Sequence, residues 1–160
     1  GVQPLDHDAD IATRILVDAQ GNEYINPRIE GFADIQNAYM NGFFPMADAR
    51  DDAGVFWIRP KIRGLFTFKA FHIPRSTRKM LMRTGWRITL NRDMPRVINL
   101  CASTRKETWI NHDIEALYVH LYQAGHVHSV EVWDKDDALM GGLYGLSIGA
   151  AFFAESMVSL

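Results

Sequence analysis

The C-terminal third of the chain restricts the fold most, because three strand-like segments follow one another there. They read HVHSVEVW, ALMGGLYGL and IGAAFFAES, and cover residues 126–133, 138–146 and 148–156. Each segment alternates apolar and polar residues or runs continuously apolar, as strands do. Three strands in succession predict a β-meander.

Helical patterns precede the meander. Residues 113–124 carry an apolar i, i+3, i+4, i+7 stripe, with Asn111 as the expected N-cap and Gly125 as the stop. The stripe consists of Ile114, Leu117, Tyr118 and Leu121. Shorter helices are predicted over residues 34–41, over RVINLCAS and in a basic segment that begins at PRS. Further strands are predicted for VFWIRP, GLFTFKAF and GWRITLN. This order of elements predicts an α+β fold.

Length and composition narrow the class of protein. With 160 residues, 48% of them hydrophobic, the chain can bury a core as one domain or as a small module plus a larger one. No apolar run approaches the roughly 20 residues that cross a bilayer, and the start lacks the basic and apolar blocks of a signal peptide. The single cysteine, Cys101, gives no internal disulfide. We therefore expect a cytoplasmic protein that does not bind membranes.

Charge is unevenly distributed along the chain. Residues 59–96 contain eleven lysines and arginines against one acid, Asp93, whereas the whole chain has a formal net charge of −2. One interpretation of this segment is a solvated helix face with charged strand edges. The other is a polyanion site, because phosphate neutralisation dominates nucleic-acid binding.

The sequence lacks the familiar catalytic signatures. His120, His126 and His128 have no accompanying cysteine or carboxylate motif, so structural or hydrogen-bonding roles are favoured and no metal is expected. Cys101 has no base near it in sequence and is expected to be buried and inert. The glycines of the meander fit neither GxGxxG nor a P-loop, so no cofactor is expected, and they are interpreted as strand positions that a ligand or backbone approaches closely.

Three residues remain as binding candidates. Glu155 lies in a nearly apolar hairpin, where a carboxylate costs several kcal/mol unless it is paired. Its partners are either backbone amides, in a structural role, or a cationic ligand. Trp57 and Trp109 lie beside loop signals, where an aromatic ring either completes the edge of a core or stacks on a nucleic-acid base.

Seven motifs occur together in an order and at spacings that resemble the leucyl/phenylalanyl-tRNA–protein transferases. They are GFFPM, FWIRPKIRG, FHIPRSTRK, CAS followed by TWI, GHVHSVEVW, GGLYG and FFAESM, between residues 35 and 159. The resemblance implies a small N-terminal α/β module, residues 1–62, followed by a domain like the GCN5-related N-acetyltransferases, residues 63–160. It also implies transfer of leucine or phenylalanine from charged tRNA to the N-terminal arginine or lysine of a protein, which marks that protein for degradation.

The same resemblance implies the site residues. Trp57 and Trp109 are expected to hold the terminal adenosine of the tRNA. Glu155 is the catalytic candidate, expected to bind a substrate amine or guanidinium, with general-base action as the alternative. The substrate-binding group also includes Tyr118, Leu143, Phe152 and Met157. The phosphates of the acceptor arm are assigned to Arg75, Arg78, Lys79 and Arg83. We expect the protein to act as a monomer.

The chain departs from the family pattern near its end. The family reads ESMF, whereas here Val158 follows Met157, and the family continues with an NASK-like stretch and an Asp-x-Gln motif to which its proton transfer is assigned. Because the chain ends at Leu160, we expect the acyltransferase-like domain to be C-terminally incomplete. Two other classes stay open: a non-catalytic fragment that binds tRNA or peptide N-termini, and a CoA-dependent acetyltransferase, whose pyrophosphate-binding loop the sequence lacks.

Overall fold

The computed structural model describes residues 3–4 and 14–160; the remaining residues of the predicted N-terminal module, 1–2 and 5–13, lie outside the described part. The chain divides into two compact units. The first comprises Gly1–Gly64 and Trp109–Ile114, and the second comprises Leu65–Thr108 and Glu115–Leu160.

The first unit is built on an antiparallel sheet. Its elements are β1 (Gln3–Pro4), β2 (Arg14–Val17), β3 (Glu23–Ile25), α1 (Phe32–Met40), β4 (Phe44–Met46) and β5 (Phe56–Arg59). The strand order is β1-β2-β3-β5-β4. Helix α1 confirms the helix predicted over residues 34–41, and β5 confirms the strand predicted for VFWIRP. The buried side chains of α1, Ile35, Ala38 and Tyr39, supply apolar side chains to the core of this unit.

The second unit combines helices with another antiparallel sheet. Its elements are α2 (Arg75–Thr84), β6 (Arg87–Leu90), α3 (Met94–Ser103), most of α4 (His112–Gln123), β7 (Val127–Trp133), β8 (Leu139–Ile148) and β9 (Ala151–Ser159). The strand order is β6-β7-β8-β9, so the predicted β-meander and the α+β class are confirmed. Helices α2 and α3 confirm the predictions at PRS and RVINLCAS. Within the described residues, every helix is too short or too polar to cross a membrane.

The predicted N-cap of α4 is confirmed. Oδ1 of Asn111 accepts a hydrogen bond from the backbone N–H of Ile114 at 2.8 Å, the contact that an N-cap makes three residues into its helix. Nδ2 of Asn111 donates to the carbonyl oxygen of Asp52 at 2.8 Å. The start of α4 is therefore tied to the loop that precedes β5.

The strand predicted for GLFTFKAF is wrong. The N–H groups of Ala70 and Phe71 both donate to the carbonyl oxygen of Thr67 at 3.0 Å, which forms a turn. Phe66 and Phe68 are 88% and 97% exposed. Apolar alternation alone does not produce a strand, because a strand also needs a neighbour with which its backbone can pair.

Candidate functional site

The β8–β9 hairpin presents two different faces. A Cβ added to Gly142 would lie 3.1 Å from Cγ2 of Val97 on α3, so position 142 faces this helix. Because successive side chains on a strand alternate, Tyr144 and Leu146 share this helix-facing side, and both are fully buried. Leu143 lies on the opposite side, which we call the outer face.

Three predicted pocket residues share the outer face. Leu143 pairs directly with Met157 across the two strands, and the Phe152 ring folds over Gly145. A Cβ added to Gly145 would lie 2.6 Å from Cζ of this ring and 2.4 Å from the carbonyl oxygen of Phe153, which confirms the interpretation of Gly145 as a site of close approach. Phe152 is 48% and Met157 63% exposed. The outer face therefore carries an accessible apolar surface.

Glu155 lies at a break in the register of β8 and β9. Tyr144 pairs with Ser156, and Gly145 pairs with Ala154, so Glu155 is the extra residue of a β-bulge. The side chain of Glu155 is half-buried. A bulge redirects side chains locally, and it is a feature that the residue types of this hairpin do not reveal.

The same bulge aligns the apolar residues. Phe152 and Met157 are five residues apart, so regular alternation would put them on opposite faces. The extra residue between them restores a common face. Sequence spacing alone could not have given this arrangement.

Tyr144 lies in a buried polar region on the helix-facing side. Its ring meets that of Tyr118 edge to face, with centroids 5.4 Å apart, and Tyr118 is fully buried. The pKa of Tyr144 is raised above its usual range, first by burial and then by the negative charge of Glu155. The phenol of Tyr144 therefore keeps its proton at neutral pH.

Two further side chains border this region. Arg105 donates from Nη2 to the carbonyl oxygen of Met157 at 2.8 Å. The expected burial of Cys101 is confirmed, and burial raises the pKa of its thiol. Arg105 is not among the residues predicted from the sequence, although it lies in the CASTR segment beside the CAS motif.

Glu131 on β7 is a buried carboxylate that was likewise not predicted from the sequence. It is 0% exposed and accepts hydrogen bonds from Oγ of Ser129, from Oγ1 of Thr89 at 2.7 Å, and from the backbone N–H groups of Asp93 and Arg92. Burial raises its pKa, but the hydrogen bonds outweigh this effect and hold the pKa below its usual value. The available signal was a charged residue at a buried position of the alternating segment HVHSVEVW.

The two tryptophans belong to the first unit and differ in accessibility. Trp57 is 4% exposed and packs edge to face on Tyr39, with centroids 6.1 Å apart. Trp109 is half-buried, and its carbonyl oxygen accepts a hydrogen bond from the N–H of Ala47 at 2.9 Å. Trp109 is therefore the more accessible of the two residues.

The predicted phosphate-binding residues lie on α2. Arg75, Arg78 and Lys79 are spaced i, i+3 and i+4, so they share one helix face, and Arg83 follows in the last turn. All four are exposed, and none of them forms an ion pair within the described part of the chain. The first three line an open cavity of about 400 Å³ together with His72, Ile73 and Met82.

Among residues 3–4 and 14–160, no group of three or more histidine, cysteine, aspartate or glutamate side chains comes together in a way that could hold a metal ion.

Two family models match the chain. The model of leucyl/phenylalanyl-tRNA protein transferase matches residues 65–160, and the model of the N-terminal domain of this transferase matches residues 33–61. Curated leucyl/phenylalanyl-tRNA–protein transferases are also similar. The protein of Ruegeria sp. (strain TM1040) is 52% identical over 123 residues, which are 77% of this chain and 58% of the relative.

Two other relatives give the same picture. The transferase of Maricaulis maris is 46% identical over 133 residues, 81% of this chain and 61% of the relative. That of Cereibacter sphaeroides (strain ATCC 17025) is 48% identical over 122 residues, 76% of this chain and 56% of the relative. The chain thus spans less than two thirds of the length of these relatives. On these matches, the chain belongs to the leucyl/phenylalanyl-tRNA protein transferase family.

Proposed function

We propose that this chain takes part in the transfer of leucine or phenylalanine from aminoacyl-tRNA to the N-terminal arginine or lysine of a protein, in the cytoplasm. The observation on which the proposal rests is the family match over residues 65–160. We further propose that the second unit is part of a domain like the GCN5-related N-acetyltransferases. The antiparallel sheet β6-β7-β8-β9, with α3 packed against it, supports this fold.

The tRNA would be held by α2. Arg75, Arg78 and Lys79 offer three cations on one exposed face, without carboxylates of the described chain to neutralise them. A polyanion gains affinity from such a face by releasing counterions. Trp109 and Trp57 would hold the terminal adenosine, with Trp109 as the more accessible residue and Trp57, only 4% exposed, offering little surface for contact.

The aminoacyl side chain would bind on the outer face. Leu143 and Met157 form an opposed apolar pair, and the Phe152 ring covers Gly145 beside them. Apolar walls of this kind select by size and shape. Tyr118 would act from the other side of the sheet, through its contact with Tyr144.

In the reaction, the acceptor amine attacks the ester carbonyl carbon of the aminoacyl-tRNA. A peptide bond forms, the ester C–O bond breaks, and the 3′ oxygen of the tRNA leaves with the proton that the amine loses. The ester is already activated, so holding the amine against it supplies much of the acceleration. We assign this positioning to Glu155, which the bulge separates from the regular ladder.

A filter assay with radiolabelled leucyl-tRNA and a peptide that begins with arginine tests the proposal. Transfer of label to the peptide supports the enzyme. Retention of leucyl-tRNA without transfer identifies a binding module, and turnover only with acetyl-CoA identifies an acetyltransferase. Either of these two outcomes overturns the proposed activity of this chain.

A further inference from the structure

His128 lies on the outer face, next to the apolar residues assigned to the aminoacyl side chain. It is directly opposed to Gly145 across β7 and β8, and Val130, two residues further along β7, is directly opposed to Leu143. Opposed residues share a face, and two residues of a strand span about 7 Å. His128 is therefore within about 7 Å of the Val130–Leu143 pair along β7, and beside the glycine that the Phe152 ring covers.

Asn91 follows β6, on the side of β7 away from β8, and three hydrogen bonds hold it there. Its N–H donates to the carbonyl oxygen of Ser129 at 2.9 Å, its carbonyl oxygen accepts from Oη of Tyr122 at 3.0 Å, and its Oδ1 accepts from the N–H of Ser129 at 3.0 Å. The last bond fixes the orientation of the side-chain amide, because a backbone N–H can only donate. Nδ2 of Asn91 is therefore the donor that lies 3.0 Å from Nδ1 of His128.

This contact fixes the tautomer of His128. A ring nitrogen that accepts a hydrogen bond carries no hydrogen, so the neutral imidazole has its hydrogen on Nε2. In a five-membered ring, the outward directions at the two nitrogens are nearly opposite. Since Nδ1 is turned toward Asn91, the Nε2–H group points away from β6, and β8 lies on that other side of β7.

Nε2 of His128 is open to a ligand. No residue within 3–4 and 14–160 accepts a hydrogen bond from it, and it is not one of the buried side-chain atoms that lack a partner. The ring is also held in place by a side chain whose own orientation is fixed. A ligand site combines an apolar surface with a few placed polar groups, and an oriented N–H donor beside the outer face provides one of them.

The proposed function supplies an acceptor of matching chemistry. An N–H donor of a neutral ring suits an uncharged oxygen, whereas phosphate oxygens are matched by cations such as those of α2. The side chain and the carbonyl group of an aminoacyl ester are attached to the same carbon atom. A side chain held against Leu143 and Met157 therefore leaves the carbonyl oxygen on the order of 5 Å away, near the position of the imidazole.

We propose that His128 donates a hydrogen bond from Nε2 to the carbonyl oxygen of the aminoacyl ester, and that Asn91 positions its ring. This inference rests on the proposed function and adds to it a residue for the carbonyl group. When the acceptor amine attacks the carbonyl carbon, the electron pair of the C=O double bond moves onto this oxygen, and Nε2–H stabilises the negative charge. The carbonyl forms again as the bond to the 3′ oxygen breaks, and His128 keeps its proton throughout.

The test uses the whole chain and two stable probes in calorimetric titrations. One is adenosine carrying phenylalanine at its 3′ position through an amide, and the other is the corresponding thioamide, whose sulfur is a weak acceptor. His128→Leu should weaken binding of the amide by about three- to tenfold, the effect of one neutral hydrogen bond, and leave binding of the thioamide almost unchanged. His128→Gln keeps an N–H donor near the position of Nε2 and should recover part of the affinity. His120→Leu, at an exposed position of α4, is the matched control and should change neither affinity.

Nitrogen NMR gives a second measurement that needs no ligand. The protein is labelled with isotopically enriched histidine and studied in mildly alkaline buffer, where ordinary histidine side chains are neutral. The resonances that disappear in His128→Leu should show a protonated Nε2 and an unprotonated Nδ1. Adding the amide probe to the wild type should shift the Nε2 resonance.

Three results would overturn the assignment of His128: a protonated Nδ1 with a bare Nε2, unchanged affinity of His128→Leu for the amide, or equal losses for amide and thioamide. A wild type that binds leucyl-tRNA but not the amide probe also overturns it. In each of these cases the proposed function survives if leucyl-tRNA is bound. A wild type that binds neither leucyl-tRNA nor the probes overturns both.

Discussion

Leu143 and Met157 lie opposite each other on β8 and β9, and both point to the face of the sheet away from α3. Their side chains are direct cross-strand neighbours on that face, beside the Phe152 ring over Gly145. A change of volume at Leu143 therefore alters the space next to Met157 directly. A substitution at Leu143 alone can therefore test whether this apolar surface selects ligands by size.

Leu143→Phe should reduce the use of phenylalanyl-tRNA more than that of leucyl-tRNA, because an overfilled pocket penalises the larger guest first. The expected difference is about 1 to 3 kcal/mol in relative affinity or transfer rate. Ile88→Phe, on the same face but two strands away, is the control and should change neither. Equal losses for both tRNAs with Leu143→Phe would mean that Leu143 lies outside the pocket.

The exposed cations of α2 should set the salt dependence of tRNA binding. Each phosphate contact contributes a slope of roughly 0.7 to 0.9 in log affinity against log salt. Replacing Arg75, Arg78 and Lys79 by alanine should flatten this slope by about two to three units. The double control Arg28→Ala and Lys135→Ala removes cations that already pair with Glu30 and Asp136. A slope that the triple variant leaves unchanged would make α2 a solvated face.

The substitution Glu155→Gln distinguishes a binding role of this carboxylate from a structural role. It keeps the side-chain volume and removes the charge, so binding of arginine-starting peptides or aminoacyl analogues should weaken by about 1.5 to 3 kcal/mol, while the fold survives. Glu107→Gln, at an exposed position of the second unit, is the control. Melting temperature and affinity are measured on the same samples. A destabilised variant with normal affinity would end the functional assignment of Glu155.

The buried carboxylate of Glu131 should make the protein sensitive to acid. Its pKa in the folded chain is held below the usual value, so it stabilises the fold above the ordinary glutamate pKa of about 4.3 and loses this effect as the pH falls through the folded-state pKa. Glu131→Gln should lower the free energy of unfolding at neutral pH by about 2 kcal/mol.

Denaturant titrations at a series of pH values would check this prediction. The wild type should lose more stability than Glu131→Gln between neutral pH and about pH 3, because only the wild type has this carboxylate to protonate. Parallel curves for the two proteins would show that other carboxylates cause the acid sensitivity.

Local sequence patterns were sufficient to predict those elements that form through contacts between residues close together in the chain. The N-cap at Asn111 and the helix at RVINLCAS depend on residues within one or two turns, and both are present. The strand expected for GLFTFKAF depends on a pairing partner elsewhere in the chain, which local alternation cannot supply. Phe66 and Phe68 are exposed, so the apolar alternation in this segment does not indicate burial in a sheet.

The candidate site depends on contacts between distant residues even more than the fold does, because its geometry follows from the register of β8 and β9. Motif resemblance named Leu143, Phe152, Met157 and Glu155 together, but which of them share a face follows from the pairing of two strands. Glu131 went unnoticed because its donors come from β6, β7 and the start of α3. The order of residues in the sequence does not show which elements bring their hydrogen-bond donors together around one side chain.

The bulge places Glu155 outside the regular pairing of β8 and β9. Its deletion would turn the pairs Tyr144–Ser156 and Gly145–Ala154 into consecutive rungs of an unbroken ladder. Phe152 and Met157 would keep their common face, because four positions would then separate them and regular alternation would apply. The extra residue thus adds a carboxylate to β9 while the apolar residues on either side of it keep the face that an unbroken ladder would give them.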